Sequence, residues 1–419
     1  QEIWKLGRFP TAAELDGAVA DRPVWLQRVD GHAGWANSRA LKLAGITSAT
    51  PDPAGGKIMR DANGNATGVL VDAAQNLVNH VLPKQTDAEA RTALDRSLAE
   101  LARVGLTSVH DAGIDTGNDR VYRDYADHGK LTARVYAMIG GTEKDFDQLS
   151  AHGPLKTYAH DMYALRAVKL YSDGALGSRG AALIAPYSDE PKSHGLLFRS
   201  DAEIRAMMQK AMKKGYQVNV HAIGDAGNHQ ILEGYQQLVR QTATGGLRHR
   251  MEHAQVVALA DIARFKEIGI IPSMQPTHAT SDMNMAEQRV GGERIKGAYA
   301  WRTFLKQGSR IACGSDFPVE SPNPFFGIHA AVTRQDDQGR PAGGWHADQA
   351  MTLKEAFRCF TLDAAYAAHQ ENTLGSLEVG KWADFIVIDQ DLFTMPAKDI
   401  DKTGVLQTWV AGRQVYQRK

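Results

Sequence analysis

The feature that most constrains the fold is a repeated unit in which a helix ends at a glycine and a short apolar strand follows. Capping boxes at Thr86–Glu89 and Ser200–Glu203 open two of the helices. The same order recurs along the chain: Gly105 before Leu106–Asp111, Gly215 before Gln217–His221, Gly269 before Ile270–Ser273, and Gly308 before Arg310–Asp316. Repeated strand–helix units predict a parallel sheet covered by helices.

Three further apolar runs complete the predicted sheet: Ala133–Ile139, Ala167–Tyr171 and Arg248–Glu252. Seven strands over roughly 215 residues favour a (β/α)8 barrel of the TIM type over a short open sheet. No strand leads into a G-x-G-x-x-G turn, which argues against a dinucleotide-binding fold. The eighth strand has no evident counterpart in the sequence.

The regions on either side of the predicted barrel have a different pattern. Residues 1–85 are predicted to form an inserted cap, with a hairpin centred on Asn63-Gly64 between Gly56–Arg60 and Thr67–Val71. Residues 86–372 form the barrel, from its second to its eighth strand. Residues 373–419 form part of a small β-sandwich, with strands predicted at Leu374–Gly380, Ala383–Asp389, Val405–Val410 and Gly412–Tyr416.

Composition excludes several classes of function. Lys+Arg and Asp+Glu both number 48, so no basic surface for nucleic acid is indicated. Two cysteines, Cys313 and Cys359, supply neither a disulfide framework nor a four-cysteine zinc site. No apolar run approaches the ~20 residues of a membrane span, and no signal peptide is evident at Gln1. We expect a small-molecule substrate, leave a homo-oligomer open, and favour the cytoplasm.

Polar side chains end most of the predicted strands, where a barrel of this type carries its catalytic groups. The set comprises His110, Asp111, Lys169, Asp173, His221, Asp225, Glu252, His253, Gln275 and Asp316. A single histidine in such a position is more often a hydrogen-bonded core residue than a ligand. Several imidazoles and a carboxylate at like ends of parallel strands favour a site for zinc or a similar divalent ion.

Lys169 is the most unusual of these residues, because an unpaired ammonium is costly to bury in an apolar strand. It can extend its amine to the strand end, pair with a carboxylate, or add carbon dioxide. The third route gives a carbamate, an anion that bridges two metal ions. Because His221, His253 and Asp316 end other predicted strands at the same face, we favour the carbamate.

Four motifs resemble those of the amidohydrolase superfamily, within it the amidohydrolase family 3 branch that includes N-substituted formamide deformylases. They are Val168–Arg179, Val220–Asp225, Arg250–Gln255 and Gly314–Val319, with a similar closing phrase at Gly375–Phe385. The resemblance implies one or two divalent ions, zinc by default. It implies that Lys169 is the carboxylated bridge, that His221 and His253 bind the second metal, and that Asp316 binds the first and acts as general base.

The sequence departs from the family at one important place. The family's first metal is bound by a His-x-His pair on the first barrel strand, and none of the 15 histidines here forms such a pair. We therefore expect this chain to be a fragment in which that strand is missing. The segment Asp30–His32 matches a phrase of the branch's insertion, which is expected to cover the site and to bring His32 near it.

The function expected from this resemblance is hydrolysis of an amide or other C–N bond of a small molecule. Asp225 and Glu252 are expected to orient their neighbouring histidines or strand ends, or else to form loop hydrogen bonds. Gln275 and His278 are candidate substrate contacts. Two alternatives remain: a deaminase or a carbamate or cyclic-amide hydrolase on the same scaffold, and a regulatory homologue that has lost the chemistry.

Overall fold

The N-terminal part of the fold is a four-stranded antiparallel sheet, which we call the cap. A computed structural model describes Trp4 and residues 6–419. The cap strands are β1 Trp25–Gln27, β2 Ala33–Ala36, β3 Gly56–Arg60 and β4 Ala66–Asp72, in the order β1-β2-β4-β3. Its helices are α1 Ala12–Ala18, α2 Ser38–Leu43 and α3 Asn76–Asn79, the last preceded by a 3-10 turn at Ala73–Gln75.

Local side-chain hydrogen bonds account for the shape of the cap. The predicted hairpin is confirmed, and in its turn the Asp61 carboxylate accepts hydrogen bonds from the backbone of Asn63 and Asn65. Asn37 caps α2 by accepting from the backbone N–H of Ala40. The cap has its own small core, which includes Ala36, Leu70 and Ile58.

The body of the fold is a parallel sheet of seven strands that follow chain order from edge to edge, which confirms the predicted barrel class. The parallel strands are β5 Ser108–Ile114, β6 Arg134–Gly140, β8 Tyr163–Tyr171, β9 Gln217–Ala222, β10 Arg250–His253, β11 Ile271–Met274 and β12 Ala312–Cys313, while β7 Leu155–Tyr158 pairs antiparallel with β8. Among the described residues, no ladder joins β12 to β5, so the curled sheet forms an open barrel.

Helices cover the outside of this sheet. They are α4 Asp87–Arg103, α5 Thr116–Asp127, α6 Lys144–Leu149, α7 Asp201–Lys213, α8 Asp225–Thr242, α9 Leu259–Ile268, α10 Pro276–Asp282, α11 Ala286–Arg294, α12 Trp301–Lys306, α13 Pro324–Thr333, α14 Leu353–Cys359 and α15 Leu362–Ala367. The capping boxes predicted for α4 and α7 are present. Gly269 ends α9 with φ 81, a left-handed conformation that glycine adopts without a steric penalty. None of the described helices is long and apolar enough to cross a bilayer.

A three-stranded antiparallel sheet completes the chain and shares the barrel's core. Its strands are β13 Phe385–Ile388, β14 Val405–Val410 and β15 Arg413–Gln417. Val405 belongs to the same buried cluster as Phe265 and Trp301 of the barrel helices. A disulfide also links Cys313, at the end of β12, to Cys359 in α14, with 5.1 Å between the two Cα atoms.

One predicted strand is absent, and another is shorter than expected. The strand expected at Leu374–Gly380 is absent, because Gly375 and Gly380 adopt φ 86 and 95 and bend the segment. Val379 projects fully into solvent and has no sheet to pack against. The strand expected at Arg310–Asp316 is paired only at Ala312–Cys313, and Asp316 begins a turn three residues after the strand ends.

Candidate metal centre

The carboxyl ends of the parallel strands face a cavity of about 780 Å³ that the cap covers. The strand order and register place these ends side by side: Tyr171 lies opposite His221, and His221 lies opposite Glu252 on the next strand. The predicted site residues that line the cavity are His32, Lys169, His221, His253, His278 and Asp316. Residues distant in sequence therefore meet at one face of the barrel.

Four histidine rings form a row across this cavity. His32 of the cap lies 5.0 Å from His221, His221 lies 4.7 Å from His253, and His253 lies 5.8 Å from His278, measured between ring centroids. A carboxylate stands near each end of the row. Nδ1 of His32 is 2.6 Å from Oδ1 of Asp72, and Nε2 of His278 is 3.7 Å from Oδ2 of Asp316.

The two central histidines are held in the neutral form that metal ligation requires. Burial lowers the pKa of His253 to about 4. Burial also lowers the pKa of His221 well below its ordinary value, and electrostatic repulsion from the neighbouring titratable groups of His253, His32 and Lys169 acts in the same direction. At neutral pH both rings therefore offer a lone pair rather than a second N–H.

His253, His278 and Asp316 are arranged as a ligand set. One ligand atom from each lies within 4.8 Å of the others, a spacing that a single divalent ion can span. Nε2 of His278 is buried and has no hydrogen-bond partner among the described residues. Nδ1 of His253 is 2.8 Å from Oε1 of Gln275. This contact fixes the ring and leaves Nε2 as the nitrogen that can bind a metal ion. These residues fit a divalent metal.

The backbone at two of these residues is strained. His253 ends β10 with φ 72, and Asp316 follows β12 with φ 58. Both values lie in the left-handed region that non-glycine residues rarely adopt, and such strain concentrates at functional sites. Both residues line the shared cavity.

Lys169 is buried in β8 and reaches the same cavity. Its Nζ lies 4.6 Å from the centroid of the Tyr171 ring. That ring in turn lies 5.3 Å from the ring of His221. Lys169 is thus close to the histidine row and lines both this cavity and an adjoining one.

Glu252 and Asp225 have hydrogen-bond partners other than the histidines of the row. Glu252 pairs with Arg250, Oε1 to Nη2 at 2.6 Å, and Arg250 also donates to Nδ1 of His110. Burial acts to raise the pKa of Glu252, but the charges of Arg250 and Lys169 outweigh it and hold the pKa below its ordinary value. Asp225 begins α8 and accepts a hydrogen bond from the backbone of Ile184 at 2.9 Å.

Asp173 has a larger structural role than its sequence position indicated. Its fully buried carboxylate accepts hydrogen bonds from the backbone N–H groups of Ala182, Ile223 and Gly224. Burial raises its pKa to about 7, against the opposing effect of these three bonds. The carboxylate lies 3.7 Å from Nε2 of His221 and joins the loops after β8 and β9. The motif around Lys169 contains this residue, but only the fold reveals its partners.

A hydrogen-bonded group at the cavity wall, to which Asp282 and Gln255 contribute, was not evident from the sequence. Oδ2 of Asp282 accepts a hydrogen bond from the Tyr299 hydroxyl at 2.7 Å, and Gln255 contacts both groups. Burial raises the pKa of Asp282 above its ordinary value. These residues come from α10 and from loops, where no periodic pattern marks an inward-facing side chain.

The chain matches known proteins along almost its whole length. The model of a family described as "Amidohydrolase family" matches residues 1–416. Protein LONG AFTER FAR-RED 3 of Arabidopsis thaliana is 34% identical over 427 residues, which cover 98% of this chain and 72% of the plant protein.

A bacterial enzyme and an archaeal structure show similar likeness. N-substituted formamide deformylase of Arthrobacter pascens is 31% identical and covers 98% of this chain and 76% of its own. The crystal structure of an uncharacterized metal-dependent hydrolase from Pyrococcus horikoshii OT3 superposes with a TM-score of 0.75 and 28% identity, covering 94% of this chain and 76% of that one.

Proposed function

The chain belongs to the amidohydrolase family, and we propose that it hydrolyses a small N-substituted amide at a divalent-metal centre. Membership establishes the coarser statement, an amidohydrolase enzyme that acts on C–N bonds. The observation that carries the finer proposal is the convergence of neutral, buried histidines and Asp316 on one cavity under the cap.

The proposed ligands come from four strand ends. In this proposal His221 and His253 would hold one ion, Asp316 with its neighbour His278 would hold the other, and Lys169 as a carbamate would contribute to both. A carbamate removes the cost of burying an ammonium, because the side chain is then an anion beside cations. His278 supplies an additional imidazole beside Asp316. Nitrogen and carboxylate oxygen donors favour zinc, with other first-row divalent ions as substitutes.

Under this proposal the residues of the site have separate roles in hydrolysis. A bound divalent ion supplies a water of lowered pKa and polarises the substrate carbonyl. Asp316 accepts the proton of that water and delivers it to the leaving nitrogen, acting first as base and then as acid. Gln275 keeps His253 in the ligating orientation. Asp173 joins the loops that follow the strands of Lys169 and His221.

The walls of the cavity favour a substrate with an apolar substituent. Apolar side chains from the cap and from the barrel loops line the side away from the strand ends: Phe9, Leu26, Val29, Trp35, Leu176 and Met285. An N-alkyl or N-aryl group of an amide buries its surface there while the amide itself faces the histidine row. The N-substituted formamide activity named for the Arthrobacter relative supports this choice.

The test is hydrolysis by purified protein loaded with zinc and, separately, with manganese. The panel comprises formanilide, acetanilide, dihydrouracil as a cyclic amide, and cytosine as a deamination substrate. We expect aniline release from the two anilides, with loss of activity on chelation and recovery on adding metal back. Ammonia release from cytosine, or ring opening of dihydrouracil, without anilide cleavage contradicts the proposed hydrolysis of an N-substituted amide and supports one of the alternative reactions.

A further inference from the structure

The cap contributes one residue, His32, to the row of histidines. The residue follows the turn between β1 and β2, where its backbone N–H donates to Oδ1 of Asp30 at 3.1 Å. The carbonyl of His32 accepts from the backbone N–H of Asp72 at the end of β4, at 3.0 Å. Two separate cap strands therefore fix the position of this ring, 5.0 Å from the ring of His221.

Asp72 fixes the orientation of the ring. Its Oδ1 is 2.6 Å from Nδ1 of His32, and its side chain is 1% exposed. The backbone of Asp72 has φ 49 and ψ −123, a strained conformation for a residue with a side chain. This conformation aims the carboxylate out of the cap and down onto the loop that follows β8.

Two glycines of that loop form a slot for the carboxylate. A Cβ atom on Gly174 would lie 2.4 Å from Oδ2 of Asp72, and one on Gly180 would lie 2.3 Å from the same oxygen. Real Cβ atoms do not approach an oxygen so closely, so a side chain at either position would have to displace the Asp72 carboxylate. Oδ2 is buried and has no hydrogen-bond partner among the described residues. The slot therefore holds Asp72 by shape and leaves its Oδ1 for His32.

The opposite edge of the His32 ring faces the substrate space. Nδ1 is committed to Asp72, and Nε2 has no hydrogen-bond partner in the described part of the chain. His32 lines both the main cavity and an adjoining polar cavity of about 530 Å³. An imidazole held through one nitrogen by a carboxylate presents the other as a fixed hydrogen-bonding group.

We infer that His32 is a substrate-binding residue delivered by the cap, whose Nε2 hydrogen-bonds the amide group of an N-substituted amide, and that Asp72 is its positioning residue. The inference rests on the proposed amide hydrolysis and adds the means of orientation. In this arrangement the substrate lies between the proposed metal ligands at the strand ends and His32 in the cap. Its apolar substituent lies along the cap wall near Trp35.

The experiment uses zinc-loaded protein carrying ¹⁵N-labelled histidine, and formanilide as the probe. His32→Gln, Asp72→Asn and the control His80→Gln are compared; His80 is an exposed histidine of the same cap, outside both cavities. We expect a low-field ring N–H proton signal that is present in the wild type and in His80→Gln and absent from His32→Gln and Asp72→Asn. Formanilide is expected to shift this signal.

Kinetic and metal measurements complete the test. We expect His32→Gln and Asp72→Asn to lower kcat/KM for formanilide about 10- to 100-fold, mainly through a higher KM, at unchanged zinc content. Unchanged kinetics in both variants, or loss of zinc from His32→Gln, overturns the inference. If Asp72→Asn does not fold, the comparison of His32→Gln and His32→Asn with the wild type tests the inference. Residue 32 lies at the cavity wall, so we expect these two variants to fold.

The outcomes separate this inference from the proposed function. A wild-type protein that binds formanilide, as judged by the shifted His32 signal, but releases no aniline contradicts the hydrolysis and supports the binding role. Turnover of formanilide with no signal shift and no effect of either variant supports the hydrolysis and overturns the binding role. Absence of both turnover and shift overturns both for this substrate class.

Discussion

Arg134 at the start of β6 and Asp384 just before β13 form a buried bidentate ion pair across 250 positions of sequence. Nε and Nη2 of Arg134 donate to the two carboxylate oxygens of Asp384 at 2.6 and 3.0 Å. The side chains are only 1% and 7% exposed, and the ring of Trp382 lies 5.0 Å from the guanidinium. This pair links the C-terminal sheet to the end of the barrel at which the parallel strands begin. It gives a structural role to the C-terminal motif Gly375–Phe385.

Breaking this pair is expected to destabilise the protein strongly. Asp384→Asn leaves the guanidinium of Arg134 buried without a counter-charge, which costs about 3–5 kcal/mol of unfolding free energy. Urea unfolding of the wild type and the variant measures this loss. The matched control is Glu100→Gln, which breaks the exposed pair with Arg103 and should change the free energy by less than about 1 kcal/mol. Equal effects of the two substitutions would show that burial of the Arg134 pair is unimportant.

Asp316→Asn is expected to abolish most of the hydrolysis while leaving the fold intact. The amide cannot accept the proton of the attacking water, so kcat should fall by about 10²- to 10⁴-fold. Aniline release from formanilide and the Tm measure the two effects. Asp348→Asn, at an exposed position outside the cavity, is the control and should turn over like the wild type. Near-full turnover in Asp316→Asn rules out the assigned role.

Substitutions at Lys169 distinguish a carbamate from an ordinary cation. Lys169→Arg keeps a positive charge but cannot add carbon dioxide, whereas Lys169→Met keeps only the shape of the side chain. If the lysine is carboxylated, both variants should lose bound zinc and activity to a similar degree, as measured by elemental analysis and aniline release. Retained zinc and turnover in Lys169→Arg would identify a structural cation instead. Native mass spectrometry of the wild type should show a carbon dioxide adduct that acid removes.

The pair between Arg302 and Glu355 makes a pH-dependent contribution to stability. The hydrogen bonds from Arg302 hold the pKa of Glu355 at about 2, below its ordinary value of 4.5. Because the folded-state pKa is depressed, this stabilisation is fully present above pH 4.5 and is lost as the pH falls from 4.5 toward 2. The side chain is 32% exposed, so solvent limits the contribution to about 1 kcal/mol.

Glu355→Gln should therefore lower the Tm near neutral pH, and the difference from the wild type should shrink as the solution is made acidic. Scanning calorimetry at a series of pH values gives the comparison. Glu293→Gln serves as the control, since the Glu293 side chain is 88% exposed and its loss should matter little at any pH. A Tm difference for Glu355→Gln that stays constant into the acidic range argues against the linkage.

The glycine slot under Asp72 predicts a strong effect of a single methyl group. Gly180→Ala places a carbon 2.3 Å from Oδ2 of Asp72 and should push the carboxylate away, at a cost of about 1–3 kcal/mol in unfolding free energy. The low-field His32 signal should disappear with it. Gly17→Ala in α1, where no atom lies within 4 Å of the new carbon, should instead be neutral or stabilise the helix slightly. A normal His32 signal in Gly180→Ala would show that the slot does not hold Asp72.

The seven barrel strands were predictable because each is short, apolar and bounded by a glycine or a polar residue. The antiparallel strand β7 was not, because Leu155–Tyr158 is mostly polar and owes its conformation to pairing with β8. Lys169, His221, His253 and Asp316 stood out because polar side chains interrupt or follow apolar runs at these positions. The division of the chain at residues 85 and 372 stays a prediction.

What sequence could not reveal depends on contacts between distant segments. Asp72 is 40 residues from His32 and lies in an ordinary hairpin strand, so no local pattern marks it as a partner. Glu252 was expected to orient His253 or its strand end, or to form loop hydrogen bonds; its carboxylate accepts a hydrogen bond from Arg250, a partner that the sequence did not indicate. The Cys313–Cys359 disulfide likewise depends on the packing of α14 against β12.

Two side chains of the cap rest on glycines of the barrel. Arg28 packs on Gly177, and Asp72 packs on Gly174 and Gly180, so the barrel offers bare backbone at these points. The residues that seat the cap there are different from the apolar cap residues Leu26 and Trp35, which line the cavity. Under the proposed function, substitutions at Leu26 or Trp35 can therefore change the substrate preference without altering the side chains at the strand ends.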